Sequence, residues 1–383
     1  MNARGIFAIT VSVLCPLAAW AQGLPPRLPA GATTAPPSSV QAPADPPYAA
    51  LIAMCKTPPP AGRGRGGAGP RGGGAGRGAA PAQGIREYTV QEIPGVIAAN
   101  QKWKFLWQEA GNNGDGIVGL DDGSLLIAQN DNSKVIKLDK DAKTSVAYSD
   151  THTGGALSRN TKGSLFIVQR GLRANVTQLA PQRRVLANTY QGDPLDCIGG
   201  VINDLTADSK GGVYFTMGGV YYADPKGVVT KYGENVAPNG IVLSADEKTL
   251  YVTNGPALAV FDVQADGSLT NQRALGSYEG GGDGLSIDSM GRIYVTTNAG
   301  VVVLSPDGKS LGTIPTPRGI ITGAFGGPDK KTFFILARGA TDAEGNEVAN
   351  AAQVWSIPVF AQGNKGRAKK PRPPLADLLS HEE

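Results

Sequence analysis

The amino-acid sequence predicts an all-β protein, a six-bladed β-propeller with disordered N-terminal and C-terminal extensions. A unit of about forty residues, the repeat length of a propeller blade, recurs six times between Asp115 and Phe360. Each unit has a short apolar stretch, a turn rich in Gly and Asp, and a stretch of β-branched or aromatic residues. The units read GDGIVGLDDGSLLIAQNDNSKVIKLD, GGALSRNTKGSLFIVQR, VINDLTADSKGGVYFTMGGVYY, PNGIVLSADEKTLYVTNGPALAVFDV, GDGLSIDSMGRIYVTTNAGVVVLS and ITGAFGGPDKKTFFILARG.

Residues 1–21 have the layout of a cleavable secretory signal peptide. Arg4 precedes an apolar run from Ile6 to Trp20, and Ala19-Trp20-Ala21 precedes Gln22. The apolar run is too short for a transmembrane helix. We therefore expect an exported protein, periplasmic or extracellular, with no transmembrane segment.

Residues 22–97 form a predicted linker that is rich in Pro, Ala, Gly and Arg and mostly disordered. Residues 362–383 form a predicted basic tail. Together, 63–86 and 365–372 contain ten basic residues against a formal net charge of +4, so the rest of the chain is mildly acidic. The Arg/Gly run has no interleaved aromatic residues for base stacking, so we expect no nucleic-acid partner.

Export would leave Cys55 and Cys197 as an even pair in an oxidising compartment, where a disulfide can form. Such a bridge would fasten the N-terminal arm to the propeller. Two unpaired thiols are the alternative, and the sequence leaves both open.

The predicted propeller occupies residues 98–361. Trp103, Phe105 and Trp107 alternate with polar residues, which is the pattern of a half-buried strand. Propellers close by pairing the two ends of the chain in one blade, which removes an exposed edge. We expect this strand to pair with the last-blade strand around Gln353–Val359, with the aromatic rings packed in the core rather than forming a sugar platform.

Four repeats carry Asp or Asn at the same early position. These residues are Asp115, Asn203, Asn239 and Asp283. Because the innermost strands of all blades point their first residues toward one channel, equivalent positions should converge at one end of it. Each residue taken singly also fits ordinary turn chemistry before a strand; the shared phase favours a common site.

Four oxygen-bearing side chains at one spot favour a hard divalent cation. We expect calcium, which binds six to eight carboxylate, amide and water oxygens. Zinc, which prefers His and Cys, and magnesium are the alternatives.

Other catalytic classes find little support in the sequence. His152, the one His within the repeats, lies in THTGG, where a surface turn is expected. No Gly-x-Ser-x-Gly elbow and no Walker-type loop is present, which disfavours a serine hydrolase and nucleotide chemistry.

Three segments resemble successive blade signatures of the senescence-marker/gluconolactonase/luciferin-regenerating-enzyme family: PNGIVLSADEKTLYVTN, GDGLSIDSMGRIYVTT and AFGGPDKKTFFI. The resemblance covers about residues 100–360 and implies a metal ion at the channel mouth. It carries over onto Asn203, Asn239 and Asp283. The first-repeat Glu of the family is Asp115 here, a carboxylate on a shorter arm.

The resemblance also implies catalytic roles for Asp283, Asn203 and Asp204, with Asp283 as the proton acceptor and Asp204 as a supporting residue. Val201 stands where sugar-lactone members have an Arg that contacts hydroxyls. A hydroxyl-rich substrate is therefore less strongly implied. The other polar residues near strand ends are expected to be structural: Gln169, Arg170, Tyr221 and Tyr222.

The predicted function is that of a metal-dependent hydrolase that opens lactones or cleaves esters at the channel mouth, with a small-molecule lactone or ester as its partner. A non-catalytic binding or scaffold propeller with a structural metal ion is the main alternative, since the fold hosts many functions. A propeller lyase using the same pocket is a third possibility. The oligomeric state is left open.

Overall fold

The computed structural model describes residues 25–28, 46–59 and 84–364. The predicted signal peptide at 1–21 lies outside these residues, as does most of the predicted basic tail. Within them, no helix is both long enough and apolar enough to cross a membrane.

Among the described residues, six four-stranded antiparallel sheets form the blades of the predicted propeller. Before the first blade come the helix α1 (Pro46–Ala53) and the strand β1 (Lys104–Ala110). The first blade consists of β2 (Gly114–Gly119), β3 (Leu125–Gln129), β4 (Lys134–Leu138) and β5 (Thr144–Tyr148), and the second of β6 (Gly154–Arg159), β7 (Leu165–Gln169), β8 (Asn175–Ala180) and β9 (Arg184–Ala187). A hairpin of β10 (Thr189–Tyr190) and β11 (Asp193–Pro194) and a 3₁₀ helix (Leu195–Ile198) follow. The third blade consists of β12 (Leu205–Ala207), β13 (Val213–Thr216), β14 (Val220–Ala223) and β15 (Val229–Tyr232).

The last three blades follow the same order from the channel outward. They are β16 (Pro238–Leu243), β17 (Thr249–Asn254), β18 (Ala257–Val263) and β19 (Leu269–Leu275); β20 (Leu285–Ile287), β21 (Ile293–Thr297), β22 (Gly300–Leu304) and β23 (Ser310–Pro315); and β24 (Ile320–Gly326), β25 (Thr332–Thr341) and β26 (Glu347–Pro358), with β1 as the fourth strand.

The predicted closure of the propeller is confirmed. Strand β1 pairs antiparallel with β26, and Phe105 lies opposite Trp355 with their rings edge to face at 5.4 Å. Trp103 is 2% exposed and donates its indole N–H to the carbonyl of Pro315 at 2.7 Å. The aromatic residues of this segment therefore pack in the core, as expected.

Acidic and amide side chains shape the turns between first and second strands. In the third blade, Asp208 Oδ1 accepts the backbone N–H groups of Lys210, Gly211 and Gly212, each at 2.8 Å. Its Oδ2 accepts the hydroxyl of Tyr222 at 2.8 Å, which ties the turn to the third strand. The recurring Gly/Asp turn of the repeats thus has a structural role.

The N-terminal arm is attached covalently to the propeller, because Cys55 and Cys197 form a disulfide. Residues 22–97 were expected to be mostly disordered, and the structure describes 25–28, 46–59 and 84–97 of them. Tyr48 and Leu51 of α1 are 3% and 4% exposed, and Ile93 and Ile97 belong to the core beside the last two blades. These segments pack because YAALIA and VQEIPGVI carry enough apolar surface to do so.

Replacing Cys55 by Ser should lower the free energy of unfolding by about 2–5 kcal/mol, because the bridge closes a long loop, with a sequence separation of 142 residues. Denaturant unfolding of the oxidised protein and of the Cys55→Ser and Cys197→Ser variants measures this. The reduced wild type serves as the control and should match both variants. Equal midpoints for all four samples would contradict the prediction.

Candidate active site

The structure brings the four predicted polar residues together around the central channel. Strand pairing gives four residues equivalent positions in their blades: Asp115, Asn203, Asn239 and Asp283. Each lies two residues before the point from which its inner strand pairs continuously with the second strand of the same blade. All four line a channel cavity of about 150 Å³. The amide of Asn203 donates to Asn239 Oδ1, and Asn239 hydrogen-bonds Asp283.

The remaining two blades have apolar residues at this position. Their pairing registers place Gly155 of β6 and Ile321 of β24 in phase with the polar four. The ring is therefore polar over four blades and open or apolar over two. We call the following six residues the inner ring: Asp115, Gly155, Asn203, Asn239, Asp283 and Ile321.

Glycine follows three of the four polar members of the inner ring, Asp115, Asn239 and Asp283, because neighbouring blades approach closely there. A Cβ on Gly116 would lie 2.6 Å from the backbone nitrogen of Leu157. Gly240 and Gly284 are equally crowded, by Asp283 O and by the Thr322 side chain. The Asp-Gly and Asn-Gly pairs of the repeats thus bring adjacent blades within reach of one another's side chains.

Arg170 occupies the space that Gly155 leaves open. A Cβ at Gly155 would lie 2.5 Å from the guanidinium carbon. The guanidinium donates from Nε to Ile202 O at 2.9 Å and from Nη2 to the backbone and side-chain oxygens of Asn203, both at 2.8 Å; Nη1 forms an ion pair with Asp115. The side chain is only 6% exposed.

Arg170 was expected to be structural, but it contacts two members of the inner ring directly. Sequence reasoning missed this because it compared only the first strand of each repeat. The sequence did contain a sign of this contact. Gly155 stands in phase with Asp115, and the long side chain of Arg170 follows the next strand of the same blade.

A second arginine, Arg338, lies on the opposite side of Asp115. It comes from β25, and its Nη2 is 3.7 Å from Asp283 Oδ2. Its side chain is 26% exposed, so it faces the mouth rather than the interior.

Asp204 takes the position that Gly occupies in the first, fourth and fifth blades, and it is partly buried. Its Oδ1 accepts the N–H of Leu205 at 2.7 Å, and its Oδ2 accepts the N–H of Ile241 at 3.0 Å. Burial raises the pKa of Asp204 to about 7; the Asp283 charge adds to the rise, while the two backbone hydrogen bonds and Arg170 oppose it. Asp204 thus links the third blade to the strand that carries Asn239.

Burial also raises the pKa of Asp283, while Arg338, Arg170 and the Asn239 amide counteract this effect. Burial lowers the pKa of Arg170 to about 10, so its guanidinium is charged at neutral pH. The mouth therefore combines carboxylates with two cations in a confined space, where charge interactions are stronger than in bulk water.

The other polar residues near the strand ends are structural or peripheral. Tyr221 and Tyr222 are 1% and 3% exposed and stack on Phe215 and Tyr214 inside the third blade. Gln169 is buried within the second blade, opposite Gly154. His152 lies in an exposed bend, as expected of a surface turn.

The donor chemistry of the inner ring fits an oxygen-preferring cation. Within 25–28, 46–59 and 84–364, no group of three or more His, Cys, Asp or Glu side chains is placed to hold a metal. The available donors are instead two carboxylates, of Asp115 and Asp283, and two amides, of Asn203 and Asn239, a set that suits calcium. Arg170 already engages Asp115 and Asn203, so a cation would share those oxygens with a guanidinium.

A sequence model described as the SMP-30/Gluconolactonase/LRE-like region matches residues 113–338, which include the inner ring. The chain belongs to this family. It is 27% identical over 210 residues to a Zymomonas mobilis gluconolactonase, a match covering 46% of this chain and 58% of that enzyme. It is 29% identical over 231 residues to the lactonase drp35 of Staphylococcus haemolyticus, covering 53% and 69%.

Solved structures of this family share the propeller fold. A Xanthomonas campestris gluconolactonase superposes with a TM-score of 0.60 at 22% identity, covering 74% of this chain and 99% of that one. Regucalcin of Agrobacterium tumefaciens, a calcium-binding protein, gives 0.52 at 19% identity, covering 65% and 91%.

This SMP-30/gluconolactonase-like chain has Val201 at the position where the resemblance to sugar-lactone members predicts an Arg. A guanidinium nevertheless lies beside Asn203, because Arg170 reaches the carbonyls of Ile202 and Asn203 from the second blade. The third repeat has no cation of its own at this position, and the neighbouring blade supplies one.

Replacing Arg170 by Met should lower the free energy of unfolding by about 3 kcal/mol, because Asp115 would keep a partly buried charge without its partner. Adding Asp115→Asn should restore part of the loss. Denaturant unfolding of the wild type, both single variants and the double variant gives the coupling energy. Strictly additive losses would show that the two side chains do not interact energetically.

Proposed function

We propose that this protein is a hydrolase that opens small lactones at the mouth of its propeller channel with the help of a divalent cation. The convergence of Asp115, Asn203, Asn239 and Asp283 on one cavity carries the proposal. Membership of the SMP-30/gluconolactonase-like family supports it, as do relatives named gluconolactonase and lactonase. We extend the proposal to the hydrolysis of simple esters, because water attacks an ester carbonyl in the same way as a lactone carbonyl.

The inner ring would hold the cation through the carboxylates of Asp115 and Asp283 and the amide oxygens of Asn203 and Asn239. Calcium is the expected ion, with zinc and magnesium as alternatives. When bound, such an ion would stabilise negative charge that develops on the carbonyl oxygen.

Asp283 is the proposed general base. It lines the channel cavity and is 31% exposed, so water can reach its carboxylate. It would take a proton from water as the water oxygen attacks the lactone carbonyl. The ring C–O bond then breaks, and Asp283 returns the proton to the leaving alkoxide, which yields a hydroxy acid and regenerates the carboxylate.

Three further residues position this machinery. Arg170 fixes Asn203 through both its backbone and side-chain oxygens. Asp204 bridges to the N–H of Ile241 and so holds the strand that carries Asn239. Asn239 hydrogen-bonds Asp283, which keeps the carboxylate directed at the channel.

A non-catalytic binding propeller with a structural ion is the second candidate. The observation that favours it is the ion pair between Arg170 and Asp115, which engages part of the donor set and can stabilise the channel without any substrate. In either case we propose an exported protein, periplasmic or extracellular, on the basis of residues 1–21.

Metal content and hydrolysis, measured on one preparation, separate the two candidates. A hydrolase should contain about one essential ion per chain and open small lactones in a chelator-sensitive manner. A binding propeller should lose thermal stability on chelation and leave a panel of lactones and aryl esters intact. Absence of any bound ion together with metal-independent turnover would overturn the cation-assisted mechanism.

Replacing Asp283 by Ala should reduce kcat by about 100-fold or more and weaken ion binding, because the proposed base and one ligand are both lost. Steady-state kinetics and calorimetric calcium titration measure the two effects. Asp262→Ala, at an exposed ion pair on β18, is the matched control and should change neither. Full activity of Asp283→Ala would refute the assigned role.

A further inference from the structure

Two blades share a motif that ends in an arginine. Aligned on the second strands, the second blade reads FIVQRG and the sixth reads FILARG, so Arg170, directly after β7, and Arg338, within the longer β25, hold the same position. Their backbones are also equivalent: the N–H of Arg170 donates to Thr153 O at 3.2 Å, and that of Arg338 to Gly319 O at 2.9 Å. The two cations therefore reach the mouth from either side of the first blade.

The two guanidinium groups differ in how fully their donors are used. Arg170 is enclosed, and its Nε, Nη1 and Nη2 all have protein acceptors. Across the described part of the chain, the Arg338 guanidinium has no hydrogen bond, only the 3.7 Å ion pair with Asp283. Arg338 thus retains unused donors at a position that solvent and ligands can reach.

The inner ring explains why the Arg338 guanidinium is left without a hydrogen bond. Arg170 receives Asn203 and Asp115 from its two neighbouring blades, and Gly155 makes room for it. In the sixth blade the inner-ring residue is Ile321, whose side chain takes the space that glycine leaves open in the second blade. The side chain of Arg338 is accordingly 26% exposed rather than drawn into the channel.

We propose that Arg338 binds a carboxylate of the substrate, so that the site selects lactones that carry a carboxylate beside the ring. The inference rests on the proposed lactonase function and deepens it. A guanidinium fork matches a carboxylate through two parallel N–H···O bonds, which are stronger than bonds to neutral acceptors. A substrate carboxylate would bind the solvent-facing edge of the Arg338 guanidinium. Asp283 would then lie on the opposite edge of the guanidinium, next to the lactone carbonyl.

A purely structural role for Arg338 predicts a different result. If it served only to balance the charge of Asp283, its loss would affect neutral and anionic substrates alike. The proposal instead predicts a loss for carboxylated ligands that is about tenfold larger than any loss for neutral ones and that appears mainly in KM. Substrate pairs that differ only in the carboxylate therefore distinguish the two roles.

The kinetic test compares γ-butyrolactone with its ring-carboxylated analogue, 5-oxotetrahydrofuran-2-carboxylate. Wild type should favour the carboxylated lactone in kcat/KM by about tenfold, equivalent to about 1.4 kcal/mol. Arg338→Met should raise KM for that substrate about tenfold more than for the neutral lactone, whose turnover reports any indirect effect through Asp283, while Arg338→Lys should fall between. Arg273→Met, which removes an exposed, ion-paired arginine on β19, is the control and should behave as wild type.

A binding test is independent of turnover. Tetrahydrofuran-2-carboxylate has no carbonyl in its ring to attack, and its carboxamide is the neutral match. Calorimetric titration should show carboxylate binding to wild type that Arg338→Met weakens about tenfold, with little binding of the carboxamide.

The two tests separate failure of the inference from failure of the proposed function. Turnover of neutral lactones with no preference for the carboxylate, or equal losses for both substrates in Arg338→Met, would overturn the role of Arg338 and leave the lactonase intact. Arg338-dependent carboxylate binding without turnover of any lactone would support the anion site and refute the hydrolase. Equal carboxylate affinity in wild type and Arg338→Met would overturn the inference whatever the turnover.

Discussion

Pairing of β1 with β26 closes the ring of blades, and the geometry of the channel mouth follows from that closure. A single four-stranded sheet leaves both faces unburied, so each blade is stable only between two neighbours. Closing the ring gives the first and last blades the neighbours they would otherwise lack and removes the free edge of β26. The inner strands then meet around one axis, which is why residues far apart in sequence share one cavity.

Rotational repetition supplies equivalent positions, and substitutions at those positions create the site. Four blades keep a polar residue in the inner ring, while Gly155 and Ile321 break the pattern. Gly155 admits the guanidinium of Arg170 from its own blade, whereas Ile321 leaves Arg338 outside. The same arginine position in two blades thus gives one buried positioning cation and one exposed cation.

Much of the fold could be predicted from the sequence because repeat length and strand alternation are local patterns. The polar members of the inner ring were predictable for the same reason: Asp115 and Asp283 precede the same kind of strand. The role of Arg170 was not predictable, because its side chain crosses from one blade to the next. A comparison of one repeat with another does not show which side chains make contacts between blades. Helix α1 was missed as well, because YAALIA is short and lies between Pro-rich segments.

The charges at the mouth bear on how a cation and an anion can share it. Asp115 has a shorter arm than the glutamate of the family pattern, and Arg170 reaches across to it from the second blade. A divalent ion bound as proposed would compete with that guanidinium for Asp115, and this competition lowers the affinity of the site for the ion. Once the ion is bound, the mouth carries more positive charge. Arg338 adds to that charge on the solvent side. A ligand carrying a carboxylate would therefore be attracted most strongly to the ion-bound form, and by linkage such a ligand should strengthen ion binding in return.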